Sequence, residues 1–191
     1  DDAGIDRAHV VAHDWGAAVG WALAISVPDR VRSLVAVSVG HPLSFGGLRL
    51  EQMMRSWYML LFQFEGVAEE LLSRDDWAMF RRFVGNHTET ESWIEELSRP
   101  GALTSSLNWY RANAHPERFL RPRLELPPVR VPVLGLWSTG DFALTERQMK
   151  DSSDYVDAEW RYERIEDASH WVPLDASDLF NSLLLEWFEE H

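Results

Sequence analysis

Six residues, Ala12-His13-Asp14-Trp15-Gly16-Ala17, constrain this chain more than any others, because they set a carboxylate between small residues at the close of an apolar run. Val10-Val11 reads as the end of a buried strand, and Ala17 to Ser26 as a helix stopped before Pro28. Strand, sharp turn and helix, with a reactive side chain at the turn, form a nucleophile elbow, usually built on serine. The strained turn brings neighbouring backbone close, so small residues are expected two positions before and two after the reactive one. Ala12 and Gly16 stand there, and Asp14 takes the nucleophile's place.

That substitution determines the chemistry. A carboxylate with an ordinary pKa of about 3.9 is ionised at neutral pH and attacks without a base. It is a poor attacker of esters and amides but can displace at a saturated carbon, leaving a covalent ester that water must cleave. Asp14 could instead cap the following helix. A cap needs neither Ala12 nor Gly16, so the nucleophile is the preferred reading.

Apolar runs at Val10–Ala12, Leu34–Val39, Val133–Trp137 and Arg161–Ile165 predict buried parallel strands. Helices are predicted over Ala17–Ser26, Thr145–Tyr155 and Ala176–Glu189, the last with Leu179, Phe180, Leu183, Leu184 and Trp187 at helical spacing. Alternating strands and helices indicate an α/β fold with a mostly parallel sheet flanked by helices. Residues 1–42 and 132–191 would form this core. Between them, residues 43–131 are mostly helical in pattern, too long for a crossover and too apolar for a disordered loop, so a helical cap is expected there. The proline-rich stretch from Arg121-Pro122 through Pro127-Pro128 to Pro132 would be its exit hinge.

An ester on Asp14 needs a base for its hydrolysis. His170, in Ala168-Ser169-His170-Trp171, follows the last predicted strand and so falls at the carboxyl edge of the sheet, where α/β enzymes gather their catalytic groups. Of the seven histidines, His41 in Gly40-His41-Pro42 is the other serious candidate, while His13, His87 and His115 read as structural or surface residues. A third group should fix the imidazole tautomer. Asp141, just beyond the third strand, is the best acid; Asp167 reads as a solvated turn residue. The backbone N–H of Trp15 would point at the Asp14 carboxyl, and its ring would wall the substrate pocket.

Asp14, Asp141 and His170, with the phrases His13-Asp14-Trp15-Gly16, Thr139-Gly140-Asp141-Phe142 and Ile165-Glu166-Asp167-Ala168-Ser169-His170-Trp171, resemble the α/β-hydrolase fold epoxide hydrolases, the soluble ones in particular. The resemblance implies hydration of an epoxide to a vicinal diol, with no cofactor and no metal. Opening an epoxide leaves an alkoxide that needs a proton, and a neutral phenol suits that task. Tyr58 in Trp57-Tyr58-Met59 and Tyr110 in Asn108-Trp109-Tyr110-Arg111 are similar to the lid tyrosines that grip the epoxide oxygen, although either could be a core aromatic. Trp57, Phe62, Trp93 and Trp109 could line an apolar tunnel, but such residues at helical spacing are more often core.

Haloalkane dehalogenases share the same triad and form the alternative. Fluoroacetate dehalogenases carry arginine immediately after the nucleophile, where this chain has Trp15. Relatives also begin with further strands and a His-Gly-x-Pro loop giving a second oxyanion donor, and that motif is absent here. The chain is therefore expected to be the C-terminal portion of a larger enzyme, and an inactive fragment is the third reading. The expected partners are a small apolar epoxide and water. A net charge of −13 argues against nucleic acid and anionic membrane surfaces, no stretch is long enough to span a bilayer, and a homo-oligomer is left open. Absence of cysteine fits a reducing compartment, with the cytoplasm the expected location.

Overall fold

The computed structural model describes residues 4–45, 50–115 and 125–191. The chain divides into two compact units, Asp1–Arg55 with Arg123–His191, and Ser56–Pro122. The first holds a four-stranded sheet in the order β1 (Ala8–His13), β2 (Val31–Val37), β3 (Val133–Gly140) and β4 (Trp160–Ser169). All three pairings are parallel, with Ala12 opposite Ala36, Leu34 opposite Val133, and Leu134 opposite Arg161.

The sheet is covered on both faces, which is why β2 and β3 read as continuous apolar runs. On one face Val35, Val37, Leu134 and Leu136 pack with Phe180, Leu183 and Trp187. These last three lie at helical spacing on α9 (Ser177–Glu190), which follows a short α8 (Val172–Asp175). Each such side chain, fully buried, contributes about 1.5–3 kcal/mol. Trp187 also satisfies its indole N–H on the Ser33 hydroxyl at 2.9 Å.

The other face carries α1 (Trp15–Ser26), whose buried stripe is Ala17, Gly20, Trp21 and Ala24. Small residues let this helix lie close to the sheet. A Cβ on Gly20 would meet the Leu34 Cδ1 at 2.8 Å and the Ala12 Cβ at 3.2 Å. On the same face lie α7 (Glu146–Lys150) and Trp160, which meet Gly135 of β3. The helix expected over 145–155 continues only as a 3-10 turn from Asp151 to Tyr155. Ser152 and Ser153 there bond the carbonyls of Gln148 and Lys150, competing with the α-helical ladder.

Residues 121–124 of the expected proline-rich hinge lie outside the described residues. In its remainder Val129 and Val131 are buried against α1 and β2, and Val129 bridges to Val156. The sheet unit also includes α2 (Leu50–Arg55).

The second unit is helical: α3 (Trp57–Leu61), α4 (Val67–Phe83), α5 (Thr90–Leu97) and α6 (Ala102–Asn113). Helix α4 is broken at Arg74–Trp77, where Asp75, Asp76 and Trp77 take positive φ. Arg111 of α6 ties the unit together. Its guanidinium meets Glu69 with two bonds of 2.9 Å, and its Nε donates to the Phe62 carbonyl at 2.9 Å. Among the described residues no helix is long and apolar enough to cross a membrane.

Candidate active site

Asp14 sits between the end of β1 and the start of α1 with φ 51 and ψ −122, a conformation that costs about 1–3 kcal/mol for a non-glycine residue. Its backbone is held in place: the N–H donates to the Val37 carbonyl, and its own carbonyl accepts from Ala17. No side-chain cap hydrogen bond is made to the helix, so the carboxylate is not spent as an N-cap. It accepts instead from the N–H of Trp15, whose ring is half-buried. A Cβ on Gly16 would come no nearer than 4.0 Å to the Ala12 Cβ, so the close backbone approach expected at this position is not seen and alanine would fit there. The tight approach lies one turn on, at Gly20.

Asp141 follows β3. Its Oδ1 accepts the N–H groups of Ala143 and Leu144, each at 2.9 Å, which leaves Oδ2 facing His170. The loop carrying it is fastened by α2. Gln52 donates to the Ala143 carbonyl and accepts from the N–H of Thr145, while Arg55 donates to the Asp141 and Leu144 carbonyls. Nothing in the spacing of Gln52 and Arg55 points to this, since both fall inside the stretch read as cap.

His170 follows β4 and stands between the two acids. Its Nδ1 lies 3.0 Å from Asp141 Oδ2, and its Nε2 lies 3.6 Å from Asp14 Oδ1. A carboxylate only accepts, so Nδ1 carries a proton donated to Asp141 and Nε2 is the atom turned toward Asp14. The Asp141 side chain is fully buried, while 37% of Asp14 remains exposed. Burial pulls His170 down, but hydrogen bonds to Asp14 and Asp141 and their charges outweigh it and push the imidazole up to about 9. Burial pushes Asp14 up, and the His170 hydrogen bond and charge, with His13 and the Trp15 N–H, more than reverse that and hold it below the usual range.

His41 is wholly buried, stacked on Tyr155 at 4.6 Å and edge-on to Trp21 at 5.3 Å. Burial brings it down to about 4, and it is His170 that meets both acids. Asp167 is exposed with φ 58. His13, set aside on sequence, stands at the site's edge with its ring 4.7 Å from that of His170. In the second unit Tyr58 and Tyr110 come together, ring centroids 5.8 Å apart, with Phe62 and Phe83 against Tyr58. Tyr58 and Phe62 are buried, whereas Trp57 and Trp109 are about half exposed, and Trp93 stacks on His87.

A family model described as the alpha/beta hydrolase family matches residues 1–183. The chain belongs to that family. Among curated α/β hydrolases it is similar to an AB hydrolase superfamily protein of Bacillus subtilis, 28% identical over 96% of this chain and 66% of the relative. It is also similar to epoxide hydrolase 3 of Xenopus tropicalis, 30% identical over 98% of this chain and 54% of the relative. Among solved α/β hydrolases it resembles the Bacillus megaterium epoxide hydrolase crystallised with an inhibitor. That match has a TM-score of 0.81 and 24% identity, over 98% of this chain and 71% of the other, and establishes the shared fold. The chain spans roughly half to two-thirds of the length of these curated relatives.

Proposed function

We propose that this site hydrolyses epoxides through an ester on Asp14. The reading rests on one geometric observation above all: a strained, solvent-reachable carboxylate faces the Nε2 of a buried histidine whose Nδ1 is committed to a second, fully buried carboxylate. Several curated relatives named epoxide hydrolase, such as those of Xenopus tropicalis and Caenorhabditis elegans, give the substrate class.

In the first step an Asp14 oxygen attacks a ring carbon, the carbon–oxygen bond of the epoxide breaks, and the departing oxygen takes a proton from Tyr58 or Tyr110. Those phenols belong to the helical unit read as a cap, as do Phe62, Trp57 and Trp109, the residues read as apolar lining. An ester bears no charge, so His170 loses the Asp14 interactions that raise its pKa, releases its Nε2 proton through solvent to the phenolate, and is left able to accept another. In the second step His170 Nε2 takes a proton from water as the water oxygen attacks the Asp14 carboxyl carbon. The tetrahedral intermediate is met by the Trp15 N–H, collapses to release the diol oxygen, and that oxygen takes the proton back from His170. Asp14 keeps one oxygen from water and passes water's second proton to His170, which restores the resting protonation.

Asp14 accordingly gains one substrate mass on brief exposure to styrene oxide, and His170→Gln makes that adduct persist. A single turnover in water enriched in oxygen-18 labels the Asp14 carboxyl. Peptide mass spectra from folded protein with neither adduct nor label at Asp14 refute the assignment.

A further inference from the structure

The ends of three strands each send one donor to the backbone that bears His170. His13, closing β1, places Nε2 2.9 Å from the His170 carbonyl oxygen. That oxygen only accepts, so Nε2 carries the proton. Ser38, directly after β2, donates its hydroxyl to the same carbonyl at 3.2 Å. Ser138 of β3 donates to the Ser169 carbonyl at 2.5 Å.

Both serines are fully buried, and Ser38 is itself held: its N–H donates to the Leu136 carbonyl at 2.8 Å and its carbonyl accepts from Gln148 at 2.6 Å. His13 differs from them in being the residue before Asp14. One peptide step therefore separates the group that grips the backbone of His170 from the strained carboxylate opposite its imidazole. Burial and the neighbouring charge of His170 hold His13 below its ordinary value, so near neutral pH it is an uncharged ring with its proton on Nε2.

We infer that His13 is a positioning residue, whose Nε2–H grip on the His170 carbonyl sets the gap between His170 Nε2 and the Asp14 carboxylate. The inference rests on the assignment of Asp14 as nucleophile and His170 as base. Without the grip, Ser38 is the remaining donor to that carbonyl among the described residues, and the 170 backbone can pivot about it and the Ser138 bond to the Ser169 carbonyl. The imidazole then swings relative to Asp14 while Asp141 still meets Nδ1. Displacements of about 1 Å can cost on the order of 100-fold in rate. The step most sensitive to this is ester hydrolysis, which needs Nε2 and the Asp14 carboxyl carbon in register.

His13→Leu removes the donor, and His13→Gln returns an N–H at a similar reach. For each folded variant, His170 is titrated by NMR of its imidazole, and formation and decay of the styrene oxide adduct are timed by quenching and mass spectrometry. In His13→Leu the titration of His170 moves down from about 9. In the same variant adduct decay slows at least roughly tenfold while adduct formation stays within about threefold, and His13→Gln recovers both. A His13→Leu protein that melts earlier, yet titrates and decays as the parent does, overturns the inference, as does a glutamine variant no better than leucine. Should His13→Leu fail to fold, Ser38→Ala must shift the titration in the same direction by a smaller amount, and no shift overturns the idea. If no adduct forms on Asp14 in the parent protein, the nucleophile assignment fails, while the His170 titration still decides the positioning role.

Discussion

Asp14→Asn replaces a charge with a neutral amide of the same shape, and so stands in for the esterified state as seen by His170. In the parent protein both acids together carry His170 from 6.5 to about 9 against the pull of burial, a difference worth about 3 kcal/mol. Asp141 is fully buried and keeps its bond to Nδ1 in the variant. With 37% of its side chain exposed, Asp14 is partly screened by solvent, so its share must be discounted. We expect its removal to lower His170 by roughly 1 pH unit, or about 1.4 kcal/mol. The assay is a proton–nitrogen NMR titration of the His170 imidazole in parent and variant. A variant that still titrates near 9 would show that the Asp14 charge does not hold the imidazole up, and the argument for charge-triggered deprotonation would fall.

The same substitution has a stability consequence whose sign follows from linkage. A raised histidine contributes stability that is fully present below its unfolded value of 6.5 and is lost as pH rises through about 9. The lowered Asp14 contributes stability present above 3.8 and lost as pH falls toward its folded value. The parent's advantage over Asp14→Asn from this pair is therefore greatest between about 4 and 6.5 and is lost by the time pH has risen past about 9. Urea unfolding at pH 6 and pH 10 measures it. An advantage that grows with pH contradicts the pairing.

Three further perturbations test the scaffold. Glu69→Gln strips the two-bond partner from Arg111 in the helical unit and is expected to cost about 2 kcal/mol by thermal unfolding at pH 7. Because Arg111 holds Glu69 down to about 2, that contribution is complete above pH 4.5 and is lost as pH falls through about 2, so parent and variant should converge in acid. Gly140→Ala puts a Cβ 2.6 Å from the Ala168 carbonyl oxygen, between the residues that launch Asp141 and His170, and should cost about 1–3 kcal/mol and broaden the His170 Nδ1–H resonance. Trp187→Phe leaves Ser33 without its indole partner in the core and should lower stability by about 1–3 kcal/mol in chemical denaturation without moving the His170 titration.

Asp14, Asp141 and His170 were readable because each follows a strand, although only β2 and β3 are buried on both faces. Strand β1 leaves Val11 42% exposed, and β4 carries Arg161, Glu163, Arg164 and Glu166 at half-exposed or exposed positions, so the burial expected of those two strands is not met. Parallel pairing then brings the three ends to one edge of the sheet. The groups that hold them there were not readable. His13 and Ser38 act on a carbonyl contributed by a residue far along the chain, and a backbone oxygen leaves no mark in a sequence. Gln52 and Arg55 likewise grip the main chain of the 141–145 loop from a stretch whose composition resembled the helical unit that follows it. Proline misled in the return segment: Val129 and Val131 alternate and are buried, but their proline neighbours made the stretch look like a hinge only. In the 145–155 helix, serine hydroxyls competing for carbonyls shortened a pattern that periodicity alone extends. Reactive groups are selected by side-chain type, which a sequence displays. Their alignment is selected through backbone carbonyls and N–H groups, which every residue has. A substitution at Ser38 or Gln52 should therefore change how well the site works without changing any residue that a motif would name.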